Sequence, residues 1–137
     1  MMQPYQKIGF ELARQGAKTG RGKITGECMS PLIRKGDWVL VNAGQTRPVN
    51  GQILCIQKDE KVIVHRLLEA RPEDMITKGD RSATFDSPTQ PSSVIGIVVA
   101  VERNGRLRRL DTPIFCLLEH TALWLYNVKK KIRVWFS

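Results

Sequence analysis

The apolar positions of this chain change period twice. Residues 4–15 place Tyr5, Ile8 and Leu12 on one side of a short amphipathic helix, which Gly16, Gly20 and Gly22 end. Over residues 23–110 the pattern becomes that of strands. "DWVLV" (37–41) and "GQILCIQ" (51–57) are apolar or β-branched runs separated by Gly, Pro and Asn. "KVIVHRLL" (61–68) alternates directly after "KDEK", which predicts a hairpin with the run before it. "EDMITKGD" (73–80) follows Pro72, "SVIGIVVAVE" (93–102) is the strongest strand, and Asn104-Gly105 is a hairpin turn leading into "RLRRL". Residues 113–136 return to a helical period. Pro113 suits a first helical position, Ile114, Leu117, Leu118, Leu125 and Val128 form one stripe, and Phe115, Leu123, Trp124 and Tyr126 widen it.

These elements predict a mainly β fold. Five to seven antiparallel strands would form a compact barrel-like or sandwich arrangement, with a short N-terminal helix and an amphipathic C-terminal helix. The expected organisation is a single domain, residues 1–137. It divides into an N-terminal helical part (1–22), a β core (23–110) and a basic amphipathic segment (113–137). A length of 137 residues suits one core, and 26% charged with 42% hydrophobic residues is an ordinary soluble composition. No stretch reaches the ~18 apolar residues of a membrane-spanning helix. The N-terminus lacks the apolar run of a secretory signal, so the expected location is cytoplasmic.

Charge and cysteine usage narrow the chemistry. The formal net charge is +9, and residues 101–137 hold eight Lys/Arg against three Asp/Glu, in the clusters "RNGRLRR" and "KKKIR". A solvated basic face, an anionic membrane surface and nucleic acid are the readings of such clusters; no motif supports nucleic acid, and none is expected as a partner. Cys28, Cys55 and Cys116 are an odd number without framework spacing, which argues against a disulfide scaffold. There is no CxxC or histidine cluster, so neither metal nor cofactor is expected. Cys55 and Cys116 lie in apolar runs, where cysteine behaves as a small hydrophobe. Cys28 instead lies among Gly, Glu and Pro on a turn that leads into a strand.

That turn carries a resemblance. "GECMSPLIRKGDWVLV" (26–41) is similar to the nucleophile box of the signal peptidase superfamily (S24/S26-like), Gly-x-Ser-Met-x-Pro followed by Gly-Asp and a strand. Gly26, Met29, Pro31, Gly36 and Asp37 match, and Cys28 stands where that family has its serine. "VIVHRLL" (62–68) resembles the second box in its His-Arg form, at His65-Arg66, rather than the Lys-Arg of the typical bacterial enzymes. "ITKGDRSATFDSP" (76–88) resembles the third, with Asp80 and a second acid six residues on, Asp86. "VIGIVVAVE" (94–102) resembles the closing strand. The likeness covers about residues 23–102, in the family's order.

The resemblance implies a peptidase, and the residue chemistry agrees. A peptide-bond hydrolase needs a nucleophile, a base and a group that orients the base. The thiolate is the attacking form of cysteine, and a nearby imidazolium favours it. His65 is the preferred base, since the only other histidine, His120, lies on the C-terminal helix. Asp80 or Asp86 would hold the imidazole tautomer; Asp86 is slightly preferred, because Asp80 after Gly also suits a turn. The Cys28 N–H is the expected first oxyanion donor. Gly26, Met29 and Pro31 are the expected substrate-binding residues: Gly26 would let a substrate strand approach closely, and Met29 would pack beneath or beside the groove. Asp37 is assigned to structure; Arg66 would either orient a carboxylate or be a solvated strand residue, and the latter is preferred.

The expected function is a cysteine-dependent peptidase that cleaves an extended precursor or leader peptide, bound as an added strand. The family's preference for small residues before the cut is implied with it. The alternative is a catalytically inactive relative that holds a peptide in the same groove. A self-cleaving repressor ranks last, because only 22 residues precede the first expected strand, too few for a helix-turn-helix domain. For residues 113–136 two readings stand level: a peripheral helix on anionic lipid at the inner face of the membrane, or a helix packed on the core or on a second subunit.

Overall fold

A computed structural model describes residues 19–43, 47–110 and 123–131. Seven strands form one antiparallel sheet: β1 (Thr19–Lys23), β2 (Trp38–Asn42), β3 (Ile53–Lys58), β4 (Lys61–Ala70), β5 (Met75–Lys78), β6 (Val94–Arg103) and β7 (Arg106–Arg109). Residues 123–131 form a helix, α1. The fold is mainly β, and the sheet is open rather than closed into a barrel. The strand order is β1-β2-β6-β3-β4-β5, with β7 on β6. The ten-residue β6 is the centre of this arrangement. Along one edge it pairs with β2; along the other it pairs first with β3, through 94–97, and then with β7, through 100–103.

Local chemistry explains the turns. Asn104 and Gly105 both adopt positive φ, 52° and 76°, which is what a two-residue hairpin with strand-matching twist requires. Asp59, at φ 54°, opens the β3–β4 hairpin that "KDEK" predicts. Gly96 has a different reason. A Cβ there would lie 2.6 Å from the Asn42 carbonyl oxygen and 2.7 Å from Val41 Cγ1, so only glycine lets β6 pass this close to β2. On either side of it the β6 register shifts, against β3 between Cys55 and Ile56 and against β2 between Leu40 and Val41.

The core lies on both faces of the sheet. Ile53 and Cys55 of β3 pack with Val39, Val41, Val64, Val98 and Val101 against Met29 and Ile33 of the turn before β2. Leu54 and Ile56 point the other way, to Leu67, Met75 and Ile97. A strand covered on both faces reads as a continuous apolar run, which is why "ILCI" does not alternate. Burial pushes the Cys55 thiol up, so it stays a neutral hydrophobe.

The structure corrects the N-terminal boundary. Residues 19–22, expected within the helical part, belong to β1, which pairs with β2 from Thr19↔Asn42 to Lys23↔Trp38. Gly20 and Gly22 have low strand propensity, but the open edge of β2 offers a full set of backbone partners. Arg21 adds a contact 4.0 Å over the Trp38 ring and a 3.3 Å ion pair with Glu102. The helix expected over 4–15 lies outside the described residues, as do residues 113–122 and 132–136 of the expected C-terminal helix. Among the described residues no helix is long and apolar enough to cross a membrane.

Candidate active site

The turn that carries Cys28 is built from short-range bonds. Ser30 N–H donates to the Glu27 carbonyl at 3.0 Å and Ile33 N–H to the Met29 carbonyl at 3.0 Å, closing two successive turns over 27–33. Met29 and Ile33 anchor it from below as core residues. Asp37 closes its far end. Its buried carboxylate accepts from the Arg34 N–H at 2.8 Å and from Arg103 Nε and a terminal guanidinium nitrogen at 2.9 and 2.7 Å. Burial alone would raise the Asp37 pKa, but the Arg103 and Arg34 hydrogen bonds outweigh it and hold it below the ordinary carboxylate value.

Cys28 is half-buried at the edge of a cleft of about 250 Å³. Residues 23–26, Met29 and Ile33 form one wall, and Lys61, Val62, Ile63 and Val64 of β4 form the other. Four consecutive strand residues can line one cleft only where the strand presents its edge. β4 pairs with β3 through 61–66 and with β5 only through 66–70, so the second edge of 61–65 has no strand partner among the described residues. Gly26 and Met29 line this cleft, and a Cβ at Gly26 would meet nothing within 4 Å. Pro31 is exposed on the turn and does not line the cleft.

His65 is buried in the middle of β4, with the two hydrogen-bonding side chains of the site on it. Its Nδ1 donates to Asp86 Oδ2 at 2.5 Å, which leaves Nε2 for the hydrogen bond with the Cys28 side chain. Burial works against the charged ring, but the bonds with Cys28 and Asp86 win and hold the His65 pKa above its ordinary value. The ring therefore takes up a proton more readily than a free imidazole does.

Asp80 and Asp86 have separate places. Asp80 is gripped by Arg66 through two parallel 2.8 Å bonds to its two oxygens, while the remaining guanidinium nitrogen donates to the Gly51 carbonyl at 2.8 Å. Arg66 is thus buried, not solvated: strands on both sides of this part of β4 shut out water, and the bidentate carboxylate satisfies the charge. Asp80 also donates its N–H to Met29 Sδ at 3.3 Å, tying β5 to the Cys28 turn.

Two residues passed over in the sequence complete the site. Thr77, fully buried on β5, donates its hydroxyl to Asp86 Oδ2 at 2.6 Å and accepts the Asp86 N–H on its carbonyl at 3.0 Å. Its hydroxyl lies 3.4 Å from that of Thr89, which completes the chain Thr89–Thr77–Asp86–His65. The loop after β5 is closed by two backbone bonds between Met75 and Thr89, at 2.8 and 2.9 Å, and this closure returns Asp86 to Thr77. Gly79 is the second. A Cβ there would lie 2.8 Å from the Cys28 carbonyl oxygen and 3.0 Å from Cys28 Cβ, so glycine lets the loop lie against the turn, and Arg81 N–H donates to that same carbonyl at 2.8 Å. The signal for both was the "TKGD" string itself: a threonine and a glycine beside an acid, at the end of a strand.

Among the described residues no group of three His, Cys, Asp or Glu is placed to hold a metal. Cys116 lies outside the described residues.

The family model described as Peptidase S24-like matches residues 4–77, just over half of the chain. The matched span includes Cys28 and His65 and ends before Asp80 and Asp86. No curated protein matches the sequence.

Proposed function

This chain belongs to the Peptidase S24-like family, and from that premise we propose that it is a cysteine-dependent peptidase with Cys28 as nucleophile, His65 as base and Asp86 as the group that orients His65. The observation that carries the reading is the bonding of one imidazole: Asp86 on Nδ1 and the Cys28 thiol on the other side. A cysteine paired with a histidine that favours its charged form is set to attack as the thiolate. Asp80 has the role of holding Arg66, not His65.

The substrate is an extended segment, such as a precursor tail or leader peptide, laid along the open edge of β4 at 61–65 as an added strand. The apolar walls from Ile24, Met29, Ile33, Val62 and Val64 take a small apolar side chain next to the scissile bond. The Cys28 thiolate adds to the carbonyl carbon, and the Cys28 N–H is the expected donor to the oxyanion. The His65 imidazolium gives its proton to the leaving amine as the C–N bond breaks, leaving a thioester on Cys28. The neutral imidazole then takes a proton from water, the hydroxide displaces the thiolate, and the acid product leaves.

The test joins labelling to cleavage. Iodoacetamide at neutral pH, with the labelled cysteine located by mass spectrometry, should modify Cys28 far faster than Cys55. A mixed peptide digest incubated with the protein should acquire new termini that Cys28→Ala abolishes. Equal labelling of the cysteines, or new termini that persist in Cys28→Ala, would end the proposal. Peptide retention without cleavage would make the protein an inactive peptide binder.

A further inference from the structure

The β6–β7 hairpin carries a second cleft, of about 480 Å³, lined by Leu32, Val101, Arg103, Asn104, Arg106 and Arg108. Half of these residues are arginines and none is acidic. Side chains alternate along a strand, and directly paired residues share a face. Arg106 stands opposite Arg103 and Arg108 opposite Val101, so both lie on the face of Val101. Val101 packs in the core with Met29 and Ile33, so this is the face that the Cys28 turn covers. Leu32 of that turn is one wall of the cleft. At most about 14 Å separates the Cα atoms of Cys28 and Leu32, four residues apart. The charges of the cleft are not balanced from within. Arg103 is taken up by Asp37, through bonds of 2.9 and 2.7 Å. Arg106 and Arg108 are exposed and have no ion pair among the described residues. Like charges directly opposite on paired strands destabilise a sheet, and Arg103 and Arg106 are such a pair. The fold keeps this repulsion at the mouth of a cleft, where a bound anion would relieve it.

We propose that this cleft binds an acidic, extended polypeptide segment. The segment belongs to the substrate and lies outside the bond presented to Cys28, a point that rests on the peptidase reading. Arg106 and Arg108 are two residues apart on one strand, which sets them roughly 7 Å apart. Carboxylates at alternate positions of an extended segment have the same spacing, and each guanidinium takes a carboxylate through two parallel hydrogen bonds. β7 pairs only with β6 among the described residues. Two other anionic partners fit less well. No aromatic side chain lines the cleft for a nucleic-acid base to stack on. Leu107, the exposed apolar residue of β7, points to the opposite face beside Glu102, so the arginine face has no exposed apolar side chain to place in a bilayer.

The test uses the full-length Cys28→Ala protein, so that no probe is consumed, and reads the fluorescence anisotropy of short labelled peptides. A peptide of alternating glutamate and threonine should bind, and salt should weaken it. A peptide of the same composition with its glutamates in one block should bind less tightly. Arg106→Gln and Arg108→Gln should each weaken binding of the alternating peptide about two- to fivefold, the worth of one exposed ion pair. Arg47→Gln, which removes the same charge from an exposed position outside the cleft, should leave binding unchanged. Arg106→Gln should also raise the urea midpoint, since the repulsion from Arg103 goes with it. A lower midpoint would mean that Arg106 holds the hairpin together, and would overturn the inference. Equal binding of the two acidic peptides, unmoved by either arginine, would overturn it too. So would tighter, arginine-dependent binding of a single-stranded oligonucleotide or of phosphatidylglycerol vesicles. Cleavage separates this inference from the peptidase reading. In a mixed digest, the wild-type protein should cut peptides with alternate acids first, and the protein carrying both Arg106→Gln and Arg108→Gln should lose that order. Cleavage in no such order would sink this inference alone. Arginine-dependent retention of the alternating peptide, with no cleavage of any peptide, would uphold the cleft and sink the peptidase reading alone.

Discussion

At the scale of single residues, two opposing effects meet on the His65 ring. Burial disfavours its charge, and the bonds with Cys28 and Asp86 restore it with a surplus. A pKa raised on folding gives stability that is fully present below the unfolded value, about 6.5, and that is lost as pH rises through the folded value. Urea midpoints measured across that interval should therefore fall with rising pH, and Asp86→Asn should flatten the fall; an identical slope in that variant would count against the Asp86–His65 bond. His65→Ala removes the hydrogen-bonded imidazole from the thiol and should slow Cys28 alkylation at neutral pH on the order of tenfold. Asp37 works with the opposite sign. Its lowered pKa gives stability that is present above about 3.9 and lost as pH falls through the folded value. Asp37→Asn should cost about 2 kcal/mol at neutral pH, the worth of hydrogen bonds to a charged group, and should leave a protein whose stability changes less in acid. Chemical denaturation at two pH values checks both.

The elements matter through how closely they approach one another. The loop after β5 lies on the Cys28 turn with only a hydrogen at Gly79 between them. Gly79→Ala should push the turn and loop apart while the strand pairing, in which neither Gly79 nor Cys28 takes part, stays intact. The expected reading is slower Cys28 labelling with an unchanged strand signal in circular dichroism; normal labelling would mean that the turn absorbs the methyl group. Thr77→Val tests the other side of the loop. It keeps the shape of the side chain and removes the hydroxyl that donates to Asp86, so one acceptor position on Asp86 Oδ2 loses its partner. The expected cost is about 1 kcal/mol of stability, with a further rise in the charge preference of His65, since Asp86 then serves His65 alone.

Charge and exposure set the behaviour of the whole molecule. Trp124 and Leu125 are 62% and 47% exposed on α1, with Lys129 and Lys131 exposed one to two turns further on, while Tyr126 turns inward. Apolar side chains beside cations suit the interface of an anionic bilayer, where each cation near the surface contributes about 1 kcal/mol at low salt. The expected outcome is that the protein floats with liposomes of anionic lipid, that salt releases it, and that neutralising Lys129 and Lys131 does the same. Lys130 is left out of that variant because it already serves Glu69. A protein that stays off the liposomes and sediments as a dimer would assign the same face to a second copy.

Much of this fold is written in local pattern. A strand buried on both faces must be apolar throughout, a half-buried one must alternate, and a two-residue hairpin needs residues that tolerate positive φ; these rules place β2 to β7 within a few residues of their observed bounds. Sequence motifs likewise mark Cys28 and His65 as candidates, and the structure brings their side chains within hydrogen-bonding reach of each other. What local pattern does not contain is pairing at a distance. β1 exists because β2 has an edge to fill, although its glycines favour no strand. Arg66 is buried because two strands close around it and Asp80 answers its charge. Asp80 and Asp86 are near in sequence and alike in chemistry, and only the closure of the loop between Met75 and Thr89 sends one to Arg66 and the other to His65. The Tyr126 ring meets Phe85 edge-on, and no spacing rule connects a helical tyrosine to a loop phenylalanine. Sequence sets the preferences of each segment; which distant segment satisfies them depends on the packing of the whole chain.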